Sequence, residues 1–411
     1  MWNRKPDVSR RSFLKGGMLG AAAAGISPSV WAAESNEKQI DSKKILNYNS
    51  EMRYRPLPGT DISLSVISLG GLVNVPAVND YAIDRGVNLV HISTSYMGGS
   101  SLVDLGKVLK TKRDKVYIAL KDNFLPQEFK SADEDIKRFK EEGIFEKLNT
   151  DYVDFFMFNR HEANEPLDPQ IQERFEALKA KGIVRYAGLT IHGDVPGTVA
   201  AGIKNNVFKL IMPTFNQPNL EGLDESLKKM QENGMRIMAM KTMGGFGVKD
   251  LRRKDEFKEK QDEELQKISL DLQCAYLKKA LSNPSVITIN KGIGTFDMFD
   301  AFAKAAREQL TLSEDRALYR YAQANRSENC MMCDECYQAC PDNIRISTII
   351  RCKDYYHDQF GDRNTALAYY HEIPAAQRLS SRCGDCSICE ETCPNGLKIV
   401  ERLQAAHVMF A

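Results

Sequence analysis

The chain has 411 residues, with 56 basic and 55 acidic side chains. Proteins that bind nucleic acid need a basic patch or stripe. The sequence shows no such footprint, so we exclude nucleic acid as a partner. The length fits one large domain together with a smaller one.

The N-terminus has the order of features found in an export signal. Residues 9–15 read SRRSFLK, a Gly/Ala-rich apolar run starts at Gly16, and Ala32 and Ala33 resemble a cleavage site. The pair Arg10-Arg11 matches the twin-arginine signal. We therefore predict a signal peptide over residues 1–33, export by the twin-arginine machinery and a periplasmic mature chain. An uncleaved membrane anchor or a disordered tail is the alternative, but the run is short for a spanning helix, and the mature chain has no other long apolar run.

The next segment predicts a β-hairpin followed by alternating strands and helices. Pro58-Gly59-Thr60-Asp61 is a turn signal. The strand candidates that follow are residues 66–69, 88–92, 116–121, 153–158, 184–190, 210–215, 236–241 and 286–290. Amphipathic stretches such as residues 133–148 and 169–181 lie between them, and Gly86, Gly182 and Gly234 stand where helix-ending glycines belong.

Eight strand–helix units in about 250 residues predict an α/β fold, a closed (β/α)8 TIM barrel spanning residues 45–310. An open doubly wound sheet is the alternative, but no GxGxxG follows the first strand. In such barrels the functional residues lie at the C-terminal ends of the strands. The candidates at these ends are His91, Tyr96, Lys121, Asn159, Thr190, Asn216, Lys241, Gly244, Gly245 and Lys291. The charged residues 251–267 are expected to form a solvated helix start or a lid.

Several segments resemble the aldo/keto reductase family. GVNLVHISTSYMGGSSLVDLGKVLK (residues 86–110) resembles the family's G-I-N-F-F-D-T-A-x-x-Y-G stretch and the L-G-K-x-L helix after it. YRPLPGTDISLSVISLGG resembles the family's start, and KGIVRYAGLT resembles its G-x-I-R-x-I-G-x-S segment. The resemblance implies the barrel fold over the whole of this region.

The resemblance also implies four catalytic positions, usually Asp, Tyr, Lys and His. Tyr96 and Lys121 match two of them, whereas His91 stands at the Asp position and Asn159 at the His position. In the family the Tyr protonates a carbonyl oxygen while NADPH delivers hydride, and the nearby ammonium lowers the pKa of the phenol. A protonated His91 would repel Lys121. Asn159 can donate a hydrogen bond but cannot act as an acid, and His161 is a possible replacement two residues further along.

The nicotinamide contacts implied by the resemblance depart from the family pattern. Thr190-Ile191 stands in place of a Ser-Asn pair, and Met212 in place of a Gln. Lys291 is present near the expected 2′-phosphate site, but residues 295–300 contain no Arg or Lys. The glycines from 244 to 247 offer backbone N–H groups to a pyrophosphate. The cofactor-binding candidates are Thr190, Asn216, Lys241, Gly244, Gly245 and Lys291. NADP(H) binding therefore stays open.

Eight cysteines near the C-terminus form two copies of C-x2-C-x2-C-x3-C-P. They are Cys330, Cys333, Cys336 and Cys340, then Cys383, Cys386, Cys389 and Cys393. This run holds 4Fe–4S clusters in two-cluster ferredoxins, where the fourth Cys binds the other cluster. The implied sets are therefore Cys330, Cys333, Cys336 with Cys393, and Cys383, Cys386, Cys389 with Cys340. Zinc sites use pairs of CxxC or added histidines, and disulfides rarely repeat one spacing, so two 4Fe–4S clusters are the prediction.

Residues 311–411 are thus predicted to form a small, mainly helical, ferredoxin-like domain, as in a ferredoxin-fused branch of the family. Tyr355, Tyr356, Tyr369 and Tyr370 lie between the two runs and pack either over the clusters or, as we prefer, in an ordinary helical core. Two cysteines remain. Cys274 fits a buried thiol on a helix, and Cys352 has no predicted partner.

Three functions fit these features. The first is a periplasmic iron–sulfur oxidoreductase that relays electrons between its clusters and a small organic substrate, with a redox protein as a possible partner. The second is an NADPH-dependent carbonyl reductase whose clusters are structural. The third is a non-catalytic electron-transfer subunit whose barrel is a docking scaffold, for which a closed barrel mouth is the expected sign.

Overall fold

The computed structural model describes residues 41–71, 74–121, 131–160, 167–191, 193–215, 224–242, 247–252, 254–359 and 361–411. The predicted signal peptide lies outside these residues. All described residues belong to one compact unit. Within the described chain, no helix combines the length and the apolar character needed to cross a membrane.

A short hairpin precedes the barrel. Strands β1 (Tyr54–Pro56) and β2 (Ser63–Ser65) pair antiparallel, with Tyr54 opposite Ser65. Gly59 lies in the turn at φ +70°, a left-handed conformation that glycine adopts without steric cost. The predicted hairpin is confirmed.

Eight parallel strands close into a barrel in the order β10-β3-β4-β5-β6-β7-β8-β9. The strands are β3 (Ile67–Leu69), β4 (Leu89–Ser93), β5 (Tyr117–Lys121), β6 (Val153–Arg160), β7 (Val184–Ile191), β8 (Phe208–Met212), β9 (Arg236–Ala239) and β10 (Val286–Lys291). Each lies within one of the predicted strand regions or overlaps it, so the predicted α/β barrel is confirmed. Closure comes from the parallel pairing of β10 with β3, in which Lys291 is opposite Leu69.

Helices follow the strands around the barrel and continue beyond it. They are α1 (Pro76–Asp84), α2 (Ser100–Lys112), α3 (Ala132–Glu141), α4 (Ile144–Leu148), α5 (Pro169–Ala180), α6 (Val195–Asn205), α7 (Asp224–Glu232), α8 (Val248–Arg252), α9 (Asp262–Leu281), α10 (Phe296–Ala305), α11 (Leu312–Asn325), α12 (Glu335–Ala339), α13 (Ile346–Ile350), α14 (Arg363–Glu372), α15 (Ile388–Thr392) and α16 (Ile399–Phe410). Short 3-10 turns occur at Ser42–Lys44, Tyr96–Gly99, Arg113–Lys115, Asp255–Phe257, Arg326–Glu328, Ala375–Gln377 and Ser381–Gly384. A π-helix spans Arg351–Gln359.

One predicted helix is broken in two. Residues 133–148 fit a single amphipathic pattern, but α3 ends at Glu141 and α4 begins at Ile144, because Gly143 takes φ +60° between them. Such a left-handed residue is a common helix terminator. The N-terminus of α3 is fixed by a capping box in which the Ser131 side chain accepts from the Glu134 backbone N–H.

The barrel interior is an apolar core near the hairpin end. Alternate residues of the strands fill it, and the members buried there include Leu89, Ala119, Phe155, Met157, Leu210, Met212, Met238, Met240 and Ile287. Gly188 leaves room for one of them, since a Cβ at that position would lie 2.2 Å from the sulfur of Met157. The core therefore forms a closed floor beneath the C-terminal ends of the strands.

The C-terminal region folds back onto the barrel. The helix α13 continues into the π-helix, which packs against α14, and α14 also contacts the turn Tyr96–Gly99 after β4. We refer to the π-helix and α14 together as the cap. Because Tyr96–Gly99 lies at the C-terminal end of a barrel strand, the cap covers part of the barrel mouth.

Candidate functional site

Polar side chains form a layer directly above the apolar floor of the barrel. On the neighbouring strands β5, β6 and β7, the last inward-facing side chains are Lys121, Asn159 and Thr190. Lys121 and Asn159 each come two residues after a core residue, Ala119 and Met157 respectively. His91 extends the layer on β4, two residues beyond Leu89. All four side chains are buried. The strand period of two thus brings these sequence candidates to one end of the barrel.

Tyr96 stands at the rim of this layer. It is 8% exposed, and the ammonium Nζ of Lys121 lies 4.9 Å from the centroid of its ring. Burial raises the pKa of Tyr96 well above 10, and Tyr355 and Tyr356 raise it further while Arg351 lowers it. We expected Lys121 to lower this pKa. The structure differs because burial dominates and the ammonium faces the ring.

His91 is held in the neutral form. Its ring centroid is 6.1 Å from that of Tyr96. Burial, with a smaller contribution from the charge of Lys121, lowers the pKa of His91 to about 3. Both ring nitrogens are buried without a hydrogen-bond partner among the residues described. The repulsion expected from a protonated His91 therefore does not arise near neutral pH.

The two remaining candidate lysines have different locations. Burial lowers the pKa of Lys241 well below its usual value, Arg351 and Lys121 lower it further, and Cys330 opposes this effect. Because these residues are close enough to act on it, Lys241 lies at the barrel mouth. Lys241 itself takes a left-handed φ of 54°, which costs a non-glycine residue energy and is often found at functional sites.

Lys291 does not point into the mouth. Its Nζ donates to Oε1 of Gln273 at 3.2 Å on α9, and it lies 4.5 Å from the Phe302 ring on α10. Asn290 takes the inward position instead, where a Cβ on Gly70 would meet its Oδ1 at 2.5 Å and the His91 carbonyl at 2.8 Å. A register shift between Val286 and Thr288 of β10 puts Thr288 opposite the core residue Met238, so Asn290 faces inward and Lys291 outward, which differs from the predicted cofactor contact. Asn216, Gly244, Gly245 and His161 lie outside the described residues.

The cap contributes side chains that we did not predict at the site. Lys241 Nζ lies 4.2 Å from the ring centroid of Tyr355, and the Tyr355 and Tyr356 centroids are 5.1 Å apart. Tyr356 stacks on Tyr369 at 5.2 Å, and Arg351 Cζ lies 5.1 Å from the Tyr369 ring. The tyrosine pairs were visible in the sequence, but their contact with the barrel mouth was not.

The two cysteine runs adopt matching local structures. Cys336 is the second residue of α12 and Cys389 the second residue of α15, and these two helices pack against each other. After each run, a backbone N–H four residues on points to the last sulfur: Ile344 to Cys340 at 3.4 Å, and Leu397 to Cys393 at 3.5 Å. The repeated sequence pattern is therefore a repeated structure.

The cysteines also influence one another in crossed sets. Burial raises the pKa of Cys333 to about 12, and the nearby Cys393 raises it further. Cys393 also raises the pKa of Cys330 and that of Cys336. In the second set, burial raises the pKa of Cys389 to about 11, with Cys340 and Cys386 contributing.

These sets contain the soft thiol donors that an iron–sulfur cluster requires, and all ten cysteines are free of disulfides. The residues present thus fit such a group in ligand type and grouping. Across the described ranges, no three side chains of His, Cys, Asp or Glu lie close enough to hold a single metal ion.

The two cysteines outside the runs differ in exposure. Cys352 is fully buried in the π-helix, whereas Cys274 on α9 is only partly buried, which is less than we predicted. Burial raises the pKa of Cys274 to about 11 and that of Cys352 to about 12, so both thiols stay protonated at neutral pH. Neither has the thiolate character of a reactive cysteine.

Comparison with known proteins gives a consistent picture of the barrel. The model of the Aldo/keto reductase family matches residues 74–332. An uncharacterized oxidoreductase, YqkF of Bacillus subtilis (strain 168), is 24% identical over 177 residues, which cover 40% of this chain and 56% of that protein. The chain thus matches little more than half the length of this relative.

One solved structure supports the barrel fold, and a second is similar to the chain. The aldo-keto reductase AKR11C1 from Bacillus halodurans (holo form) superposes with a TM-score of 0.51 at 22% identity, over 66% of this chain and 96% of that one. An aldo/keto reductase from Klebsiella pneumoniae in complex with NADP and acetate gives a TM-score of 0.49 at 18% identity, over 63% and 92%.

Proposed function

Because the chain belongs to the aldo/keto reductase family, we propose that it is an iron–sulfur oxidoreductase of that family. In this proposal, electrons pass one at a time between two 4Fe–4S clusters and a small organic substrate at the barrel mouth. The main support is the repeated C-x2-C-x2-C-x3-C-P run, whose two copies lie on the contacting helices α12 and α15.

The cysteine spacing favours a cluster over a single metal ion. The repeated C-x2-C-x2-C-x3-C-P run is the one that holds 4Fe–4S clusters, whereas zinc sites take pairs of CxxC or added histidines. Backbone N–H groups that point at the sulfurs of Cys340 and Cys393 are among the features that set the potential of such clusters. These features support cluster binding by both sets.

The first cysteine set lies beside the barrel mouth. Cys330 is close enough to Lys241 to influence its pKa, and so is Lys121 in the polar layer. A cluster on Cys330, Cys333, Cys336 and Cys393 would therefore be nearer to the substrate than the other one. We propose the order distal cluster, proximal cluster, substrate for reduction, with a redox protein as the outer donor.

Reduction of a carbonyl to an alcohol needs two electrons and two protons: the C=O π bond breaks, and new C–H and O–H bonds form. Two 4Fe–4S clusters supply one electron each when bound. In this proposal the buried Tyr96 donates the proton to oxygen and regains it from water, the carbon takes its proton from water, and Asn159 donates a hydrogen bond to the same oxygen. Neutral His91 takes no part as an acid at neutral pH, since its pKa is about 3.

The cap is the feature that favours this function over an NADPH-dependent carbonyl reductase. Hydride transfer next to the phenol requires the nicotinamide ring to lie beside Tyr96. Tyr355, Tyr356 and Arg351 of the cap all act on Tyr96 from that region. Electrons that arrive through the protein would make a bound nicotinamide unnecessary, in keeping with the changed residues Thr190 and Met212. The same cap is the sign expected of a non-catalytic subunit, so turnover has to be measured directly.

We propose the periplasm as the location, reached by the twin-arginine machinery, which exports folded proteins. Clusters assembled inside the cell would travel within the folded chain. The support is the sequence SRRSFLK at residues 9–15 together with the two cysteine runs.

The test is anaerobic purification followed by metal analysis and electron paramagnetic resonance. We expect about eight iron and eight sulfide per chain, four of each for each cluster, and a cluster signal after reduction with dithionite. A colourless, iron-free protein that is nonetheless folded would refute the cluster proposal.

Matched variants sharpen this test. Cys336→Ser is expected to lose about half of the iron, because one of two clusters loses a ligand. Cys274→Ser removes a thiol outside the runs and is expected to keep all of it. Turnover is then followed with the dithionite-reduced protein and a panel of aldehydes, and Tyr96→Phe is expected to slow it roughly 100-fold or more. Iron-independent turnover with NADPH would instead establish the carbonyl reductase.

A further inference from the structure

Uncharged polar side chains surround the interior at the C-terminal end of the barrel. They lie on β4, β7 and β10 and just after β8, and the strand order places β8 across the barrel from β4, whereas β10 and β4 flank β3. Burial lowers the pKa of the one imidazole among them to about 3, so it too is uncharged near neutral pH. We refer to this set as the neutral ring: His91, Ser93, Thr190, Thr214, Thr288 and Asn290.

The strand registers show that the neutral ring faces inward. In a parallel sheet, residues directly opposite each other on neighbouring strands point to the same face. Ser93 and Asn290 each come two residues after another member of the ring, so the strand period of two turns them inward as well. The other four members are each opposite a residue of the apolar core: His91 opposite Ala119, Thr190 opposite Met212, Thr214 opposite Met240 and Thr288 opposite Met238.

Gly70 allows two members of the ring to approach each other. This glycine directly follows β3, which lies between β10 and β4. A Cβ at Gly70 would lie 2.5 Å from Oδ1 of Asn290 and 2.9 Å from Cβ of His91. Only a residue without a side chain leaves room for both, so the ring is continuous from β10 to β4.

Most polar atoms of the ring have no hydrogen-bond partner in the part of the chain that the structure describes. An unmet buried donor or acceptor costs a large share of the small net stability of a folded protein. Native proteins therefore meet nearly all such atoms with protein groups, water or a ligand. This concentration of unmet atoms indicates bound molecules: Nδ1 and Nε2 of His91, Oγ of Ser93, Oγ1 of Thr190, Thr214 and Thr288, and Oδ1 of Asn290.

The chemistry of these atoms selects an uncharged, hydroxylated ligand. Ser and Thr hydroxyls and a neutral imidazole both donate and accept, whereas the amide oxygen of Asn290 only accepts. A ligand hydroxyl also does both, as water does, so it can satisfy every one of these groups. A carboxylate only accepts and would leave the Asn290 oxygen unmet, and an apolar molecule would leave all of the atoms unmet.

We propose that the neutral ring binds the hydroxyl groups of a small uncharged polyhydroxy compound, so that the substrate of the proposed reaction is a polyhydroxy aldehyde or ketone. The word substrate rests on the proposed function, whereas the binding does not. The ring centroids of His91 and Tyr96 are 6.1 Å apart. One small molecule therefore reaches from the neutral ring to the phenol at the rim, where its carbonyl lies.

The inference is tested by binding rather than turnover. The oxidised full-length protein is titrated calorimetrically with glycerol, xylitol and sorbitol, which have no carbonyl to react. Each is compared with the simple alcohol of the same carbon number (propanol, pentanol or hexanol) and with the matching sugar-acid anion (glycerate, xylonate or gluconate). The best polyol is expected to bind roughly 100-fold or more tightly than its simple alcohol, and roughly tenfold more tightly than its anion.

Two variants each remove one hydroxyl from the ring. Ser93→Ala and Thr190→Val are each expected to weaken polyol binding roughly fivefold and to leave the affinity for the simple alcohols unchanged. The control is Thr111→Val on α2, whose hydroxyl donates to the Val108 carbonyl at 3.4 Å, and it is expected to keep full affinity. Circular dichroism shows which variants are folded, and the ligand series on the wild-type chain decides if neither is.

Polyols that bind no more tightly than the simple alcohols, or that do not bind, overturn the inference and leave the unmet atoms to ordered water. Tighter binding of the anions overturns it too, as does full polyol affinity in folded Ser93→Ala and Thr190→Val. Binding of NADP that excludes the polyol would assign Thr190 and its neighbours to a nicotinamide ring instead. The titration needs no electron donor, so its failure leaves the cluster proposal standing, and an iron-free protein that binds polyols would refute only the cluster proposal.

Discussion

Replacement of Lys291 by Met should stabilise the protein at neutral pH. The Lys291 ammonium is 4% exposed, between β10 and the outer helices, and it donates one hydrogen bond to Gln273. Burial lowers the pKa of this lysine to about 7, from 10.5 for an exposed lysine, although Cys274 raises it slightly. The folded state therefore carries a group that prefers to lose its charge.

The size of the effect follows from the two pKa values. Between pH 7 and 10.5 the unfolded chain binds a proton here that the folded chain does not, so the free energy of unfolding rises with pH by about 1.4 kcal/mol per unit. Below pH 7 both states are protonated, and the full cost, roughly 5 kcal/mol, is present. Met cannot ionise, so the variant avoids this cost. The lost hydrogen bond to Gln273 offsets roughly 1–3 kcal/mol of the gain in stability.

Lys291→Met should thus be more stable than the wild type by about 2–4 kcal/mol at pH 7, and this advantage should vanish toward pH 9–10. The assay is urea unfolding followed by circular dichroism at pH 7, 8 and 9. Other titrating groups cancel in the difference between the two proteins. Lys107→Met, on a lysine 62% exposed, is the control and should change stability little at any pH. A difference that stays constant with pH, or a variant less stable at pH 7, refutes the reasoning.

Three further predictions concern stability. The carboxylate of Asp135 is fully buried and accepts hydrogen bonds from Arg174 at 2.8, 2.9 and 3.0 Å, so Arg174→Met should cost roughly 3–5 kcal/mol in urea unfolding by removing the bidentate partner of a buried carboxylate. Gly188→Ala places a Cβ 2.2 Å from the Met157 sulfur and should cost roughly 1–3 kcal/mol, whereas Gly188→Ala combined with Met157→Ala should recover part of that loss. Because the pKa of His91 falls to about 3, its protonation in the unfolded chain lowers stability as the pH drops below 6.5. In His91→Gln this acid sensitivity should be weaker by about 1.4 kcal/mol per pH unit between pH 6.5 and 4. Equal acid sensitivity in wild type and variant would contradict the neutral assignment.

The barrel was predictable because the strand signals are local. Short β-branched runs and helix-ending glycines occur in the sequence itself, and Gly86, Gly182 and Gly234 take φ values of 95°, 72° and 70° as their positions indicate. The polar layer followed from the rule that strand ends converge. The outward direction of the Lys291 side chain was not predictable, because a one-residue difference in the register of β10 decides whether a side chain faces the mouth or the helices.

The cap was not predictable for a different reason. Tyr355 and Tyr356 fit an ordinary helical core, and their partners Tyr96 and Lys241 are more than a hundred residues earlier in the chain. The helix also changes from α to π at Arg351, which alters the direction of every later side chain. No local pattern reveals such a long-range contact.

The order of the chain gives the cap a consequence during synthesis. The last barrel strand ends at Lys291, whereas the cover of the mouth begins only at Arg351. A ribosome therefore produces every strand before it produces the residues that shield His91 and Lys121 from water. A chain truncated between these two residues would contain every barrel strand, but the C-terminal end of the barrel interior would be open to water.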